Sequence, residues 1–286
     1  MPNKRYPRFR RAEHFPRMNI TSRDVEILRQ LRRHRFLRSS QIAKLLEGSH
    51  QQILRRLQKL YHHGYLERPL CQLDSFHRGG SQSIIHALGN RGAALLLRTE
   101  GKAFSRLDWT TRNQSAMRFF LEHTLMVSEI LVAIETTCRT FTNMRFRHGD
   151  EGSRQTKWHI DIAAQNQIAV IPDAMFAIED LRSENNPQSV FYCLEADRGT
   201  MPVTTANKER SSIARKLNAY EASWRKKVFR EQFGASRVQI LIITNSIERL
   251  KTIAALAENS TSAKGLFRFS TLKQLLAEPS FFFKGF

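Results

Sequence analysis

The sequence predicts an α+β protein: an N-terminal three-helix domain closed by a β-hairpin, then an α/β sandwich around a mixed sheet. Three observations carry this. Apolar residues recur at helical spacing through residues 22–61. The second half alternates apolar helical stretches with β-prone runs. Positive charge is gathered toward the N-terminus: residues 1–115 hold 23 Lys and Arg against 8 Asp and Glu, and the rest hold 23 against 18.

The chain has 286 residues and a formal net charge of +20. Its 41% hydrophobic and 25% charged fractions are those of a globular protein. The lopsided charge points to a polyanion partner for the first half. Cys71, Cys138 and Cys193 are scattered and odd in number, which argues against a disulfide framework or zinc motif and suits a reducing cytoplasm. No apolar run reaches the ~18 residues of a membrane span. The opening "MPNKRYPRFRR" has no apolar stretch behind it, so it does not read as a signal peptide.

Residues 1–18 read as a basic tail, and residues 19–98 as the first domain. Thr21 or Ser22 caps a first helix, with Thr21 and Asp24 spaced as a capping box and Val25, Leu28 and Leu31 as its apolar stripe. Ser39 or Ser40 caps a second, with Ile42, Ala43, Leu45 and Leu46 inward and Gly48 closing it. Ser49 caps a third, with Ile53, Leu54, Leu57, Leu60 and Tyr61 inward and Gly64 ending it. Two helices joined through Gly48 and Ser49 form a helix-turn-helix, whose second helix enters the DNA major groove. Its outer face carries His50, Gln51, Gln52, Arg55, Arg56 and Lys59. Gln and Arg read adenine and guanine edges, while Lys pairs with phosphate. Strands at 65–68 and 83–88 then flank the polar turn "FHRGGSQ", where Arg78 is placed to reach DNA. A hairpin after three helices makes the unit a winged helix, and Gly92 starts a further apolar helix.

A linker over 99–112 separates this from a second domain over 113–286. That domain reads as a long apolar helix through "SAMRFFLEHTLMVSEILVAIETTC", strands at 143–148, 158–165, 168–178 and 190–197, and one long helix over 204–233. A strand at 237–244, a helix capped by Ser246 and a last strand at 266–271 follow. No Gly-rich phosphate loop, HExxH or GxSxG motif appears.

The strands "VIPDAMFAIEDL" and "VFYCLEADRG" are half-buried in pattern yet acidic. Glu195 and Asp197 are two apart and share a face. If the strand of Asp173 lies alongside, three carboxylates converge, which repulsion and desolvation oppose unless a cation joins them. Mg²⁺ (or Mn²⁺) favours such oxygen ligands, and beside a DNA-binding domain it suggests phosphodiester chemistry. The alternative is ordinary strand-end charges or a salt bridge with Arg198.

The ordered series "ITSRDVEILRQL", "RRLQKLYHHGYLER", "LEHTLMVSEI", "IPDAMFAI", "FYCLEADRGT", "KLNAY" and "ILIITNSIERL" resembles the replication–relaxation family of plasmids and mobile elements. The resemblance covers most of the chain. It implies a role in plasmid replication, relaxation or mobilisation, with double-stranded DNA as partner and a PD-(D/E)xK nuclease-like second domain. That fold binds Mg²⁺ through an Asp and a Glu on adjacent strands, and a Lys two residues after the Glu assists the attacking water. Asp173 and Glu195 match the first two positions, but Asp197 stands where Lys is expected. Lys216 is the substitute on the following helix, with Tyr220 one turn on and Glu122 as an added carboxylate. Two readings stay open. One is a Mg-dependent DNA-nicking or DNA-cleaving endonuclease. The other is a regulator or initiator without a cofactor, its nuclease-like domain used for homodimer or partner contacts.

Overall fold

The structure is a computed structural model, described for residues 6–74, 83–101, 108–149, 156–163, 166–182, 188–205, 212–260, 263 and 265–283. The chain forms two compact units, Met1–Val132 and Ala133–Phe286.

In the first unit, α1 (Ser22–His34) opens with the expected capping box. Thr21 N donates to Asp24 Oδ2 at 2.8 Å, and Asp24 N to Thr21 Oγ1 at 3.4 Å. A short strand, β1 (Phe36–Arg38), leads into α2 (Ser39–Leu45). Its three residues are too few to leave a periodic signal. Neither Ser39 nor Ser40 caps α2: the first residue outside it is Arg38, whose N–H donates to Gln41 Oε1 at 2.8 Å. Ser39 Oγ donates instead to Ile84 O at 3.1 Å.

Four residues, Leu46–Ser49, turn the chain into α3 (His50–His62), with Gly48 at φ +115. Ser49 caps α3 as expected, accepting from Gln52 N at 3.3 Å. Ile53, Leu57 and Leu60 are buried, as their spacing demands. Leu54 departs from the expected stripe and lies 37% exposed, because the helix rolls it toward solvent.

β2 (Leu66–Glu67) pairs antiparallel with β3 (Ile85–Leu88), and β3 pairs with β1, giving the order β1-β3-β2. The wing tip lies outside the described residues. α4 runs Asn90–Glu100, so Gly92 sits within its first turn. A Cβ there would lie 2.4 Å from Tyr65 O, so glycine lets the helix meet that backbone.

α5 (Trp109–Gln114) belongs to this unit, for Asn113 Nδ2 donates to Leu88 O at 2.9 Å. So does α6 (Arg118–Cys138) as far as Val132, with mid-helix Ser128 Oγ donating to Phe36 O at 2.9 Å. The division between units therefore falls within α6 rather than in the 99–112 stretch. Part of the N-terminal tail is held too: Ala12 N donates to His62 Nδ1 at 3.1 Å, and Phe15 stacks on His62.

The second unit follows with β4 (Met144–His148), the hairpin of β5 (Trp158–Ala163) and β6 (Asn166–Val170), then β7 (Ala174–Asp180) and β8 (Gln188–Asp197). The expected single strand over 168–178 is thus two strands in two sheets. Pro172 has no N–H to give a ladder and restricts Ile171 before it, so the chain changes sheet there.

α7 (Ile213–Arg225) and α8 (Val228–Phe233) likewise replace one long helix. Lys227 breaks it at φ +57. That left-handed residue costs about 1–2 kcal/mol. Turning Phe229 and Phe233 onto Trp158 offsets it, since burying one such ring is worth about 1.5–3 kcal/mol.

β9 (Arg237–Thr244), α9 (Ile247–Ser260), β10 (Phe267–Thr271) and α10 (Leu272–Ala277) complete the unit. The main sheet is mixed and five-stranded, ordered β10-β9-β8-β7-β4. β4, β7 and β8 are antiparallel neighbours, and α7 crosses over to make β9 parallel to β8. Phe282 and Phe283, near the chain end, are buried.

Candidate metal centre and nucleic-acid face

Register brings the carboxylates together. Ala174 pairs with Leu194, which sets Asp173 at the end of β7 beside Glu195 on β8. Asp173 N donates to Leu194 O at 2.9 Å, and Asp173 Oδ2 accepts from Ala196 N at 2.8 Å. Alternation along β8 puts Cys193, Glu195 and Asp197 on one face, where Cys193 joins the core beneath Leu217 and Tyr220 of α7.

Ser212 starts α7 by accepting from Arg215 N at 3.4 Å. Lys216 and Tyr220 are then one turn apart on the face that meets Glu195. Tyr220 donates to Glu195 Oε1 at 2.5 Å, and Lys216 Nζ pairs with Glu195 Oε2. Glu195 is only 6% exposed. Burial pushes its carboxyl up to about 7; Asp173 pushes the same way, while Lys216 and Tyr220 oppose. Burial works against the charge on Lys216, yet Glu195, Asp173 and Asp197 together raise its pKa. Burial, then the charge of Glu195, holds the Tyr220 hydroxyl protonated well above its usual range.

Asp197 takes a different partner from those the sequence suggested. Arg249 of α9 forks onto it, with Nη2 donating to Oδ1 at 3.0 Å, and also donates to Met201 O. The Arg249 guanidinium neutralises Asp197, whose expected partners were a metal ion or Arg198. No sequence signal pointed to Arg249, which lies 52 residues along the chain. Glu122 belongs to the first unit, where Arg118 Nε donates to its Oε1 at 2.8 Å. The cluster around Glu195 is built from the second unit's residues.

What the cluster can do chemically follows from its donors. Two hard carboxylates and a protonated tyrosine suit a divalent cation or a proton transfer, and an ammonium beside them suits a phosphate oxygen.

On the first unit, Ser49, His50, Gln51, Gln52 and Arg55 are exposed along the start of α3, and Lys59 is half-buried. Arg23 Nη1 reaches Gln52 Oε1 at 3.4 Å. Arg56 turns inward: its Nε donates to Asp24 Oδ1 at 2.7 Å and its Nη2 to Asn19 O at 2.9 Å. Asp24 is fully buried, so this guanidinium is spent inside the unit. Arg78 lies outside the described residues.

Among the described residues no helix is long and apolar enough to cross a membrane. Neither the curated proteins nor the solved structures contain a match to this chain. The replication-relaxation family model matches residues 28–237, spanning the first unit's helices, the carboxylate cluster and α7. With more than half of its length matched, the chain belongs to the replication-relaxation family.

Proposed function

We propose that this protein binds duplex DNA through a winged helix and acts on it with a PD-(D/E)xK-type, Mg²⁺-dependent nuclease domain. Family membership points to a role in replication or relaxation of plasmids or mobile elements. The observation that carries the nuclease reading is Asp173 beside a buried Glu195 whose carboxyl is pushed up to about 7 by burial and by Asp173. Two like charges held together at a strand end are a cation site in electrostatic terms. The order of β4, β7, β8, α7 and β9 supports it, with three antiparallel strands and a parallel one after a crossover helix.

The residues fit Mg²⁺ or Mn²⁺ as two hard oxygen donors, Asp173 and Glu195. When bound, the metal would supply Lewis-acid stabilisation of the phosphate and a more acidic water. Lys216 stands in for the strand lysine: its ammonium, already at Glu195 Oε2, would hold the attacking water or a phosphate oxygen. Tyr220 orients Glu195 through Oε1. Arg249 keeps Asp197 neutralised, so that strand position does not repel a phosphate. On the DNA face, His50, Gln51, Gln52 and Arg55 present donors to base edges and phosphates.

One observation favours a non-enzymatic second reading. Lys216 and Tyr220 occupy both oxygens of Glu195, and Asp197 replaces the expected lysine. In that reading the second unit grips DNA or a second copy of the chain without cutting. Supercoiled plasmid decides between them. Metal-dependent conversion to open circles that Glu195→Ala abolishes supports the nuclease. Binding without conversion across Mg²⁺ and Mn²⁺ sinks it.

A further inference from the structure

Among the described residues of the first unit, one buried cation, Arg68, has no carboxylate partner. A groove of about 710 Å³, between the N-terminal arm and α3, is lined by Tyr6, Arg8, Ser39, Arg55, Arg68 and His86 among others. Arg68 is 7% exposed. Its Nη1 donates to Arg8 O, and its guanidinium lies 4.1 Å from the Tyr61 ring centroid. Among the described residues its Nε has no partner and no carboxylate pairs with the guanidinium. The neighbouring Glu67 serves Arg11 instead. Arg8 and Arg55 add two exposed guanidinium groups to the same groove. Burial, opposed by Tyr61 and reinforced by Arg8, lowers the Arg68 guanidinium to about 10, so it remains cationic at neutral pH.

His86 is the second unusual group. It is 1% exposed, and burial keeps it neutral. Ser39 Oγ gives its proton to Ile84 O at 3.1 Å. His86 Nε2, 3.1 Å from Ser39 Oγ, is therefore the donor to that hydroxyl oxygen. Nδ1 is left as an acceptor, and among the described residues nothing donates to it. A desolvated guanidinium and an orphaned imidazole acceptor are each unfavourable alone. Both costs are relieved by one ligand that carries an anion and, close to it, a hydroxyl or amino donor.

We propose that this groove binds a nucleotide phosphate, with Arg8, Arg55 and Arg68 around the phosphate oxygens and His86 Nδ1 accepting from a sugar hydroxyl or base amino group. Guanidinium groups bind phosphate with charge-assisted, directional hydrogen bonds. The volume suits a mononucleotide, and the ligand is either a free nucleotide or a phosphorylated DNA strand end. The site borders the proposed DNA face through Arg55 but rests on Arg68 and His86, independently of that reading.

The test titrates the full-length protein with AMP at constant ionic strength, with adenosine as the uncharged control. Saturable AMP binding is expected, with adenosine at least about tenfold weaker. Arg68→Gln should reduce AMP affinity by about tenfold or more. Arg8→Ala, at an exposed position that leaves the core intact, should weaken it in the same direction. Displacement of AMP by a 5′-phosphorylated oligonucleotide, but not by its 5′-hydroxyl twin, identifies a strand end as the source; no displacement by either identifies a free nucleotide. Equal binding of adenosine and AMP, no AMP binding, or AMP binding retained in both variants overturns the proposal. Closed circular plasmid separates it from the DNA reading. Arg68→Gln that loses AMP yet keeps plasmid affinity isolates this groove, whereas wild-type protein that binds AMP but not plasmid overturns the DNA face alone.

Discussion

Arg56 on the third helix donates 2.7 Å to Asp24 at the start of the first, and Asp24 is wholly buried. One carboxylate thereby closes the capping box of α1 and anchors α3 against it. Arg55, its neighbour, points outward. Adjacent arginines thus have opposite fates.

Arg56→Ala is expected to lower stability by about 3 kcal/mol, because it strands a buried charge. Arg55→Ala should leave the melting temperature within about a degree or two and weaken DNA binding instead. Thermal melts and a salt-dependent DNA titration on both variants check this. If the full chain neutralises ~5 phosphates, log affinity should fall with log salt at a slope near ~4 to 5. Equal melting temperatures for the two variants would refute the division of labour.

Leu57 is 1% exposed in the middle of α3. Leu57→Ala should cost about 2–5 kcal/mol through lost burial and a residual cavity. Leu57→Asp should unfold the first unit outright. Leu54→Ala, at the neighbouring exposed position, should cost well under about 1 kcal/mol. Denaturant midpoints for the three variants give the ranking.

Mg²⁺ or Mn²⁺ should raise the melting temperature of the wild-type protein, by about 2.7 kcal/mol of stabilisation at a hundredfold excess over Kd. Asp173→Ala and Glu195→Ala should abolish the rise without unfolding the chain. Asp197→Asn should preserve it, because Arg249 already satisfies that position. A metal response unchanged in all three variants would return these carboxylates to ordinary strand-end charges.

Glu135 sets an acid limit. Burial opposes its charge, but His148, at 3.0 Å, and Arg139 hold its carboxyl down at about 2, from an ordinary 4.5. A depressed carboxyl adds stability above its unfolded pKa and loses it as pH falls through the folded one. Stability should therefore drop by about 3 kcal/mol between pH 4.5 and 2. Glu135→Gln should be less stable than wild type at pH 7 and show a flatter acid limb in denaturant melts recorded across that range.

Local chemistry alone determined much of this protein. The spacing of Leu28 and Leu31, and of Ile53, Leu57 and Leu60, set the buried faces of α1 and α3, and Thr21, Asp24 and Ser49 set their starts. The run "RVQILIIT" became β9 as read, and alternation put Glu195 and Asp197 on one face. These features depend on residues within a turn or two of one another, so the sequence displays them directly. The tertiary structure decided which charges meet. Arg249 takes Asp197 because α9 starts beside the end of β8 only once the α7 crossover has set β9 next to β8, and Lys216 reaches Glu195 because α7 lies across the strands. Arg56 turned inward while Arg55 did not, since only the packing of α3 on α1 brings Asp24 within reach. Pro172 could be read as a break, but that it passes the chain from one sheet to another follows from strand pairing. Pairing, register and long-range charge partners are set by contacts between segments far apart in the chain, and local periodicity carries no record of them.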